Sequence, residues 1–116
     1  MKEIVFKDVN ELVIFADGMF YGAKEDFWYE AGRNLFVGVG CYLFERSLDI
    51  SPETIVSPVT IKQCLSPTNC FDIEGILKVK NLPDETRRYL TGFLVNSEKV
   101  QASVNAALIN ILSDSL

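Results

Sequence analysis

The chain has 116 residues, of which 48% are hydrophobic and 23% charged, a composition typical of one globular domain rather than of a disordered segment. It contains no histidine, which excludes the Ser-His-Asp and Cys-His nucleophile systems. Residues 1–58 carry the whole net charge of −5, which disfavours nucleic acid as a partner of that half and favours a basic protein.

The first predicted element is an amphipathic helix over residues 8–20. Its apolar residues recur at i, i+3, i+4 and i+7, the spacing of one helix face, and they are Leu12, Phe15, Ala16 and Met19. Gly18 falls inside this pattern, so we expect the helix to fray there.

The second predicted helix runs from Phe27 to about Arg46, with Asp26 as its N-cap. Its first half is amphipathic, with Arg33 near the boundary between the two faces. We expect Arg33 to be half-buried and paired with Glu30 or with an acid on a neighbouring helix.

The second half of this helix, residues 35–44, is apolar on every side, which is typical of a central helix packed by neighbours on most faces. Gly38 and Gly40 each weaken a helix, so their presence indicates close packing by another helix. A buried strand is the rival interpretation of residues 36–39. We favour a helix because the helical pattern continues on both sides.

Two short helices are predicted in the middle of the chain. Ser57-Pro58 combines a Ser N-cap with a proline at the first helical position, and it starts a helix that ends near Leu65. Ser51-Pro52 shows the same signal and starts a short turn. Residues 70–79 form the next helix, in which the apolar residues are Phe71, Ile73, Ile76 and Leu77.

Two longer helices are predicted to close the chain. Pro83, at the first helical position, opens one whose inward residues are Tyr89, Leu90, Phe93 and Leu94. Asn96 or Ser97 caps the last helix, whose core face is Val100, Val104, Ala107, Leu108 and Ile111 and whose solvent face is Ser103, Asn110 and Asp114. The sequence therefore predicts an all-α single domain over residues 1–116, a compact bundle of about six to seven helices around one central apolar helix.

Catalytic and metal motifs are missing from the sequence. There is no phosphate-binding loop, and the three cysteines without histidine do not supply a four-ligand zinc site. Cys41 lies in an apolar run and is interpreted as a core residue. Cys64, near Lys62, is the one conceivable nucleophile, although a structural role is favoured; Cys64 and Cys70 could approach each other, but a reduced cytoplasmic state is favoured. We expect a domain that is not an enzyme and binds no cofactor or metal.

Two segments together resemble a known family. Residues 26–36 followed by Cys41-Tyr42-Leu43, and residues 93–104 followed by Leu108 and Leu112, are similar to the opening and closing segments of the all-alpha domain of type IV secretion coupling proteins, the TraG/TraD-like ATPases. The intervening residues 47–82 match only in helical character. The matched residues to which we assign structural roles are Phe27, Trp28, Arg33, Leu35, Phe36, Leu43, Val104 and Leu108.

The resemblance implies a function that the residues alone do not reveal. It implies a substrate-recognition domain excised from a hexameric, membrane-anchored ATPase at the cytoplasmic face of the bacterial inner membrane. The implied partners are effector proteins or relaxase complexes with C-terminal secretion signals, and also a chaperone or regulatory protein, with DNA bound only indirectly. The alternative is a free-standing helical adaptor or inhibitor protein. The longest apolar stretch is about half of a membrane crossing, so this part is expected to be soluble.

Two charged clusters are candidate partner-binding surfaces. The first is Glu45, Asp49 and Glu53, named here the acidic cluster, which would suit basic or polar secretion signals. These acids could instead merely solvate a helix surface. The alternative surface, named here the basic cluster, is Lys78, Lys80, Arg87 and Arg88, which could contact DNA or an acidic chaperone.

Overall fold

The computed structural model describes residues 5–19, 27–49, 55–65, 73–78 and 82–115. Within these ranges every regular element is an α-helix, which confirms the predicted all-α class. The helices are α1 (Val9–Met19), α2 (Phe27–Asp49), α3 (Pro58–Leu65), α4 (Ile73–Leu77), α5 (Asp84–Leu94) and α6 (Glu98–Ser115).

Helix α2 is the centre of the bundle, as its all-round apolar sequence predicts. It packs against α1, α3, α5 and α6, and every residue from Leu35 to Cys41 is buried. Because neighbours cover α2 on several sides, apolar residues are stable on all of its faces rather than on one stripe. The rival strand interpretation of residues 36–39 is wrong, and the helix continues to Asp49, slightly beyond the predicted end at Arg46.

Two glycines of α2 set how closely its neighbours approach. A Cβ atom built on Gly38 would lie 2.6 Å from Leu90 Cδ2 of α5 and 3.3 Å from the Leu90 backbone nitrogen. A Cβ atom built on Gly40 would lie 2.8 Å from Leu12 Cδ1 of α1. Real Cβ atoms do not approach other atoms to within 3.0 Å. Helices α1 and α5 therefore pack onto α2 at places where only the hydrogen atom of a glycine fits. The close helix packing predicted from these glycines is confirmed.

Helix α1 buries the described part of the predicted face, and the side chain of Met19 lies outside the described residues. Leu12 and Ala16 are buried, and Phe15 is partly buried. The helix continues through Gly18 to Met19, so the fraying expected at Gly18 is not seen.

An aromatic cluster anchors the chain just before α1. The Phe6 and Phe15 ring centroids are 5.3 Å apart, and Phe15 stacks on Phe36 of α2 at 5.8 Å. The Phe6 backbone N–H also donates a hydrogen bond of 2.8 Å to the Val56 carbonyl. Aromatic pairs at these distances contribute about 0.5–1.5 kcal/mol beyond the burial of their surface. The helical periodicity did not reveal Phe6, because it lies outside any helix.

The predicted start of α3 is confirmed in atomic detail. The Thr60 backbone N–H donates to Ser57 Oγ at 3.1 Å, and the Ser57 backbone N–H donates to Thr60 Oγ1 at 2.8 Å. These reciprocal bonds satisfy donors that a helix start otherwise leaves unpaired. Pro58 is the first helical residue, where its missing N–H is not needed. The predicted turn at Ser51 lies outside the described residues.

The starts of the last two helices differ in detail from expectation. Pro83 is the N-cap residue of α5 rather than its first helical residue, because its ψ of 145° is extended. Ser97, rather than Asn96, caps α6: Ser97 Oγ accepts a hydrogen bond of 3.3 Å from the Val100 backbone N–H.

The prediction that Ala107 belongs to the core face of α6 is wrong. Ala107 is exposed, while Val104, Leu108 and Leu112 are buried. At 3.6 residues per turn, Ala107 is rotated about 60° from Val104 in the opposite sense to Leu108 and Leu112, which places it outside the buried stripe. Among the described elements the main neighbours of α6 are α2 and α3, so this stripe is narrow. The side chains of Ile111 and Asp114 lie outside the described part of α6.

The glycine contacts generate the first testable prediction. Gly38→Ala is expected to lower the free energy of unfolding by about 1–2 kcal/mol, because overpacking against Leu90 outweighs the gain in helix propensity. Gly18→Ala is the matched control, since nothing lies within 4 Å of a Cβ atom built there. It should raise the free energy of unfolding by up to about 1 kcal/mol. Urea unfolding measures both changes, and a Gly38→Ala protein as stable as the wild type would contradict the prediction.

Candidate functional site

The matched structural residues lie in the core. Leu35, Phe36 and Leu43 of α2 are buried, as are Val104 and Leu108 of α6. These five side chains therefore contribute to the core of the fold. Phe27 and Trp28 form the start of α2, but their side chains lie outside the described part.

The acidic cluster is described at one of its three positions. Glu45 lies in the last third of α2 and is partly exposed, yet its carboxylate oxygen Oε2 is buried. One oxygen of Glu45 is thus turned inward rather than offered to a partner. Asp49 is the last residue of α2, with its side chain outside the described part, and Glu53 lies outside the described residues. Partner binding by the acidic cluster stays a prediction.

The basic cluster is divided between a structural and an exposed part. Arg87 Nη1 donates a hydrogen bond of 2.8 Å to the Leu77 carbonyl, which lies at the end of α4. This bond satisfies a carbonyl that the short helix leaves open and ties α4 to α5. Lys78, directly after α4, and Arg88 of α5 are exposed. Lys80 lies outside the described residues.

Arg33 is paired in the way the sequence predicted. Arg33 Nε donates to Asp17 Oδ1 of α1 at 2.8 Å, and the two side chains are 23% and 54% exposed. Partial burial alone would lower the pKa of Arg33, but the hydrogen bonds and charges of Asp17 and Tyr89 outweigh it, so the net pKa is raised. The guanidinium therefore stays charged at every physiological pH.

Tyr89 connects Arg33 to the exposed part of the basic cluster. The guanidinium carbon of Arg33 lies 6.0 Å from the Tyr89 ring centroid, and that of Arg88 lies 5.0 Å from the same centroid. Cations at such distances are attracted to the ring by about 0.5–1 kcal/mol at exposed sites. We name Arg33, Arg88 and Tyr89 the arginine–tyrosine site. No sequence pattern predicted this site, because its residues come from two different helices.

Two cysteines lie within the described ranges. Cys41 is 5% exposed, and burial, assisted by the charge of Glu85 and opposed by that of Arg88, raises the pKa of its thiol to about 12. The thiol is therefore protonated and a poor nucleophile at neutral pH. The burial of Cys41 confirms the predicted core position. Cys64 lies within α3 and packs against the core. Cys70 lies outside the described residues.

Two further features are absent from the described residues. No group of three or more cysteine and carboxylate side chains in those ranges is placed to hold a metal ion. None of the described helices is both long and apolar enough to span a bilayer.

Comparisons with protein-family models, with curated proteins and with solved structures gave no significant match.

The buried thiol generates the second testable prediction. In a variant carrying Cys64→Ser and Cys70→Ser, native Cys41 is expected to react with iodoacetamide far more slowly than in urea, because the reagent requires an exposed thiolate. Labelling followed by mass spectrometry measures both rates. Equal rates in the folded and unfolded states would show that Cys41 is not buried.

The raised pKa of Cys41 makes the free energy of unfolding depend on pH. The pKa of Cys41 is higher in the folded chain than in the unfolded chain, so the stabilisation from the neutral thiol is complete below the unfolded value of about 8.5. It decreases as the pH rises from there towards about 12. Urea unfolding of this variant and of the same protein with Cys41→Val should therefore diverge in alkaline buffer, with the thiol-containing chain losing more stability.

Proposed function

We propose that this chain is a non-catalytic substrate-recognition domain of a type IV secretion coupling protein. The observation that carries the proposal is the resemblance of residues 26–36 and 93–104 to the two ends of that family's all-alpha domain. These segments contribute to α2, α5 and α6, and α2 packs against both of the other helices. Two segments far apart in the sequence thus meet in one core, which is what a shared domain architecture requires.

The chemistry of the described surface is compatible with this proposal. It offers charged and aromatic side chains on α4 and α5, and it has no cluster of metal ligands in the described ranges. Such a surface can recognise a peptide by hydrogen bonds and charge without performing a reaction. In the proposed setting the cargo is an effector or a relaxase complex. The parent protein is a hexameric motor anchored at the cytoplasmic face of the bacterial inner membrane.

The third testable prediction concerns cargo capture. The purified chain, immobilised and exposed to cytoplasmic extract of a bacterium with a type IV secretion system, is expected to retain a secreted effector or a relaxase. Titration calorimetry with the C-terminal segment of the retained protein should then give an affinity in the micromolar range. If extracts from several such bacteria yield neither kind of protein, the coupling-protein proposal is wrong and a free-standing adaptor becomes the better explanation.

Charge reversal then locates the binding surface. Asp49→Lys with Glu53→Lys should abolish binding if the acidic cluster receives the cargo. Glu74→Lys with Asp84→Lys is the matched control, because it changes the net charge equally through two exposed acids of α4 and α5. Binding that survives the first pair assigns the contact to another surface, and equal losses with both pairs indicate an effect of total charge rather than of a site.

A further inference from the structure

The described surface contains cations that lack an acidic partner within the described residues. Arg88 and Lys78 are exposed, and the ion pair found in those ranges joins Arg33 to Asp17 instead. Glu85 precedes Arg88 by almost one helical turn but forms no ion pair with it. In a chain with a net charge of −5, an exposed arginine without a carboxylate is available to an acid from another molecule.

We propose that the arginine–tyrosine site binds the carboxylate side chains of an acidic peptide segment. Arg88 supplies the contact: its guanidinium lies over the Tyr89 ring at 5.0 Å, and this attraction restricts a side chain that would otherwise sample many rotamers. A guanidinium held in this way can receive a carboxylate through two parallel hydrogen bonds.

Arg33 contributes a second, more rigid cation to the site. The hydrogen bond to Asp17 uses Arg33 Nε, and the side chain remains 23% exposed. Asp17 neutralises much of the charge of Arg33. Arg33 therefore mainly orients Tyr89, while Arg88 attracts the carboxylate of the peptide. Lys78, directly after α4, is a further exposed cation of the described surface.

The surroundings of the site favour a short acidic peptide over nucleic acid. Asp17 lies against the site, and Glu30, nearly one turn before Arg33, is exposed. A nucleic acid presents a continuous row of phosphates, which would be repelled by these carboxylates. A peptide can direct one or two carboxylates at Arg88 and leave the acids of α1 and α2 uncovered. This inference rests on the proposed function and names the chemistry of the cargo segment that the domain would read.

The test uses the full chain and a short fluorescent peptide that carries two glutamates, with the same peptide carrying two glutamines as the reference. Fluorescence anisotropy should detect binding of the glutamate peptide at low salt and much weaker binding of the glutamine peptide. Arg88→Gln is expected to weaken binding about fivefold, the effect of losing an exposed charge-assisted contact of about 1 kcal/mol. Arg88→Lys should give an intermediate loss, because it keeps the charge and removes the planar fork.

Lys99→Gln is the matched control, since it removes one exposed positive charge from α6. It should change the affinity by less than about twofold. Equal losses for Arg88→Gln and Lys99→Gln, equal binding of both peptides, or no binding to the glutamate peptide would each overturn the inference. Cargo capture that persists in Arg88→Gln would overturn the inference while leaving the proposed function standing.

Discussion

The close approach of α1 and α5 to α2 is the constraint on which the rest of the structure depends. Gly38 and Gly40 leave space for Leu90 and Leu12, so two neighbours pack against the α2 backbone itself. Gly92 of α5 likewise faces Asn34, where an added Cβ atom would lie 2.7 Å from Nδ2. The α2–α5 contact is therefore tight from both sides, and it fixes the positions from which Arg33 and Tyr89 meet.

Much of this architecture follows from local sequence. The uninterrupted apolar run of α2 predicts a central helix because only a helix covered on most sides tolerates it. The Ser57-Pro58 signal locates α3 because it acts within one turn. The errors have a different origin. Phe6 was not predicted to be buried and Ala107 was, and the burial of each side chain depends on which elements pack beside it. A single-helix pattern contains no information about the neighbours.

The candidate surfaces were predictable only in part. The sequence indicated that Arg33 would be paired, but Asp17 is sixteen residues away and its choice depends on how α1 crosses α2. Arg87 looked like a binding residue because it is charged, whereas the structure uses it to satisfy the Leu77 carbonyl. Tyr89 was assigned to the core, and its contact with two arginines became visible only with α2 and α5 in place.

Phe6 gives the segment before α1 an importance that its short length hides. Its ring joins Phe15 and Phe36, and its backbone N–H reaches the Val56 carbonyl, fifty residues further along the chain. The segment thus connects the beginning of the protein to its middle. A shortened version that starts at α1 would lose the Phe6 contacts and the hydrogen bond to Val56, and it would expose the aromatic cluster to water. Trimming or fusing this protein at its amino end should therefore leave Val5 and the residues after it intact.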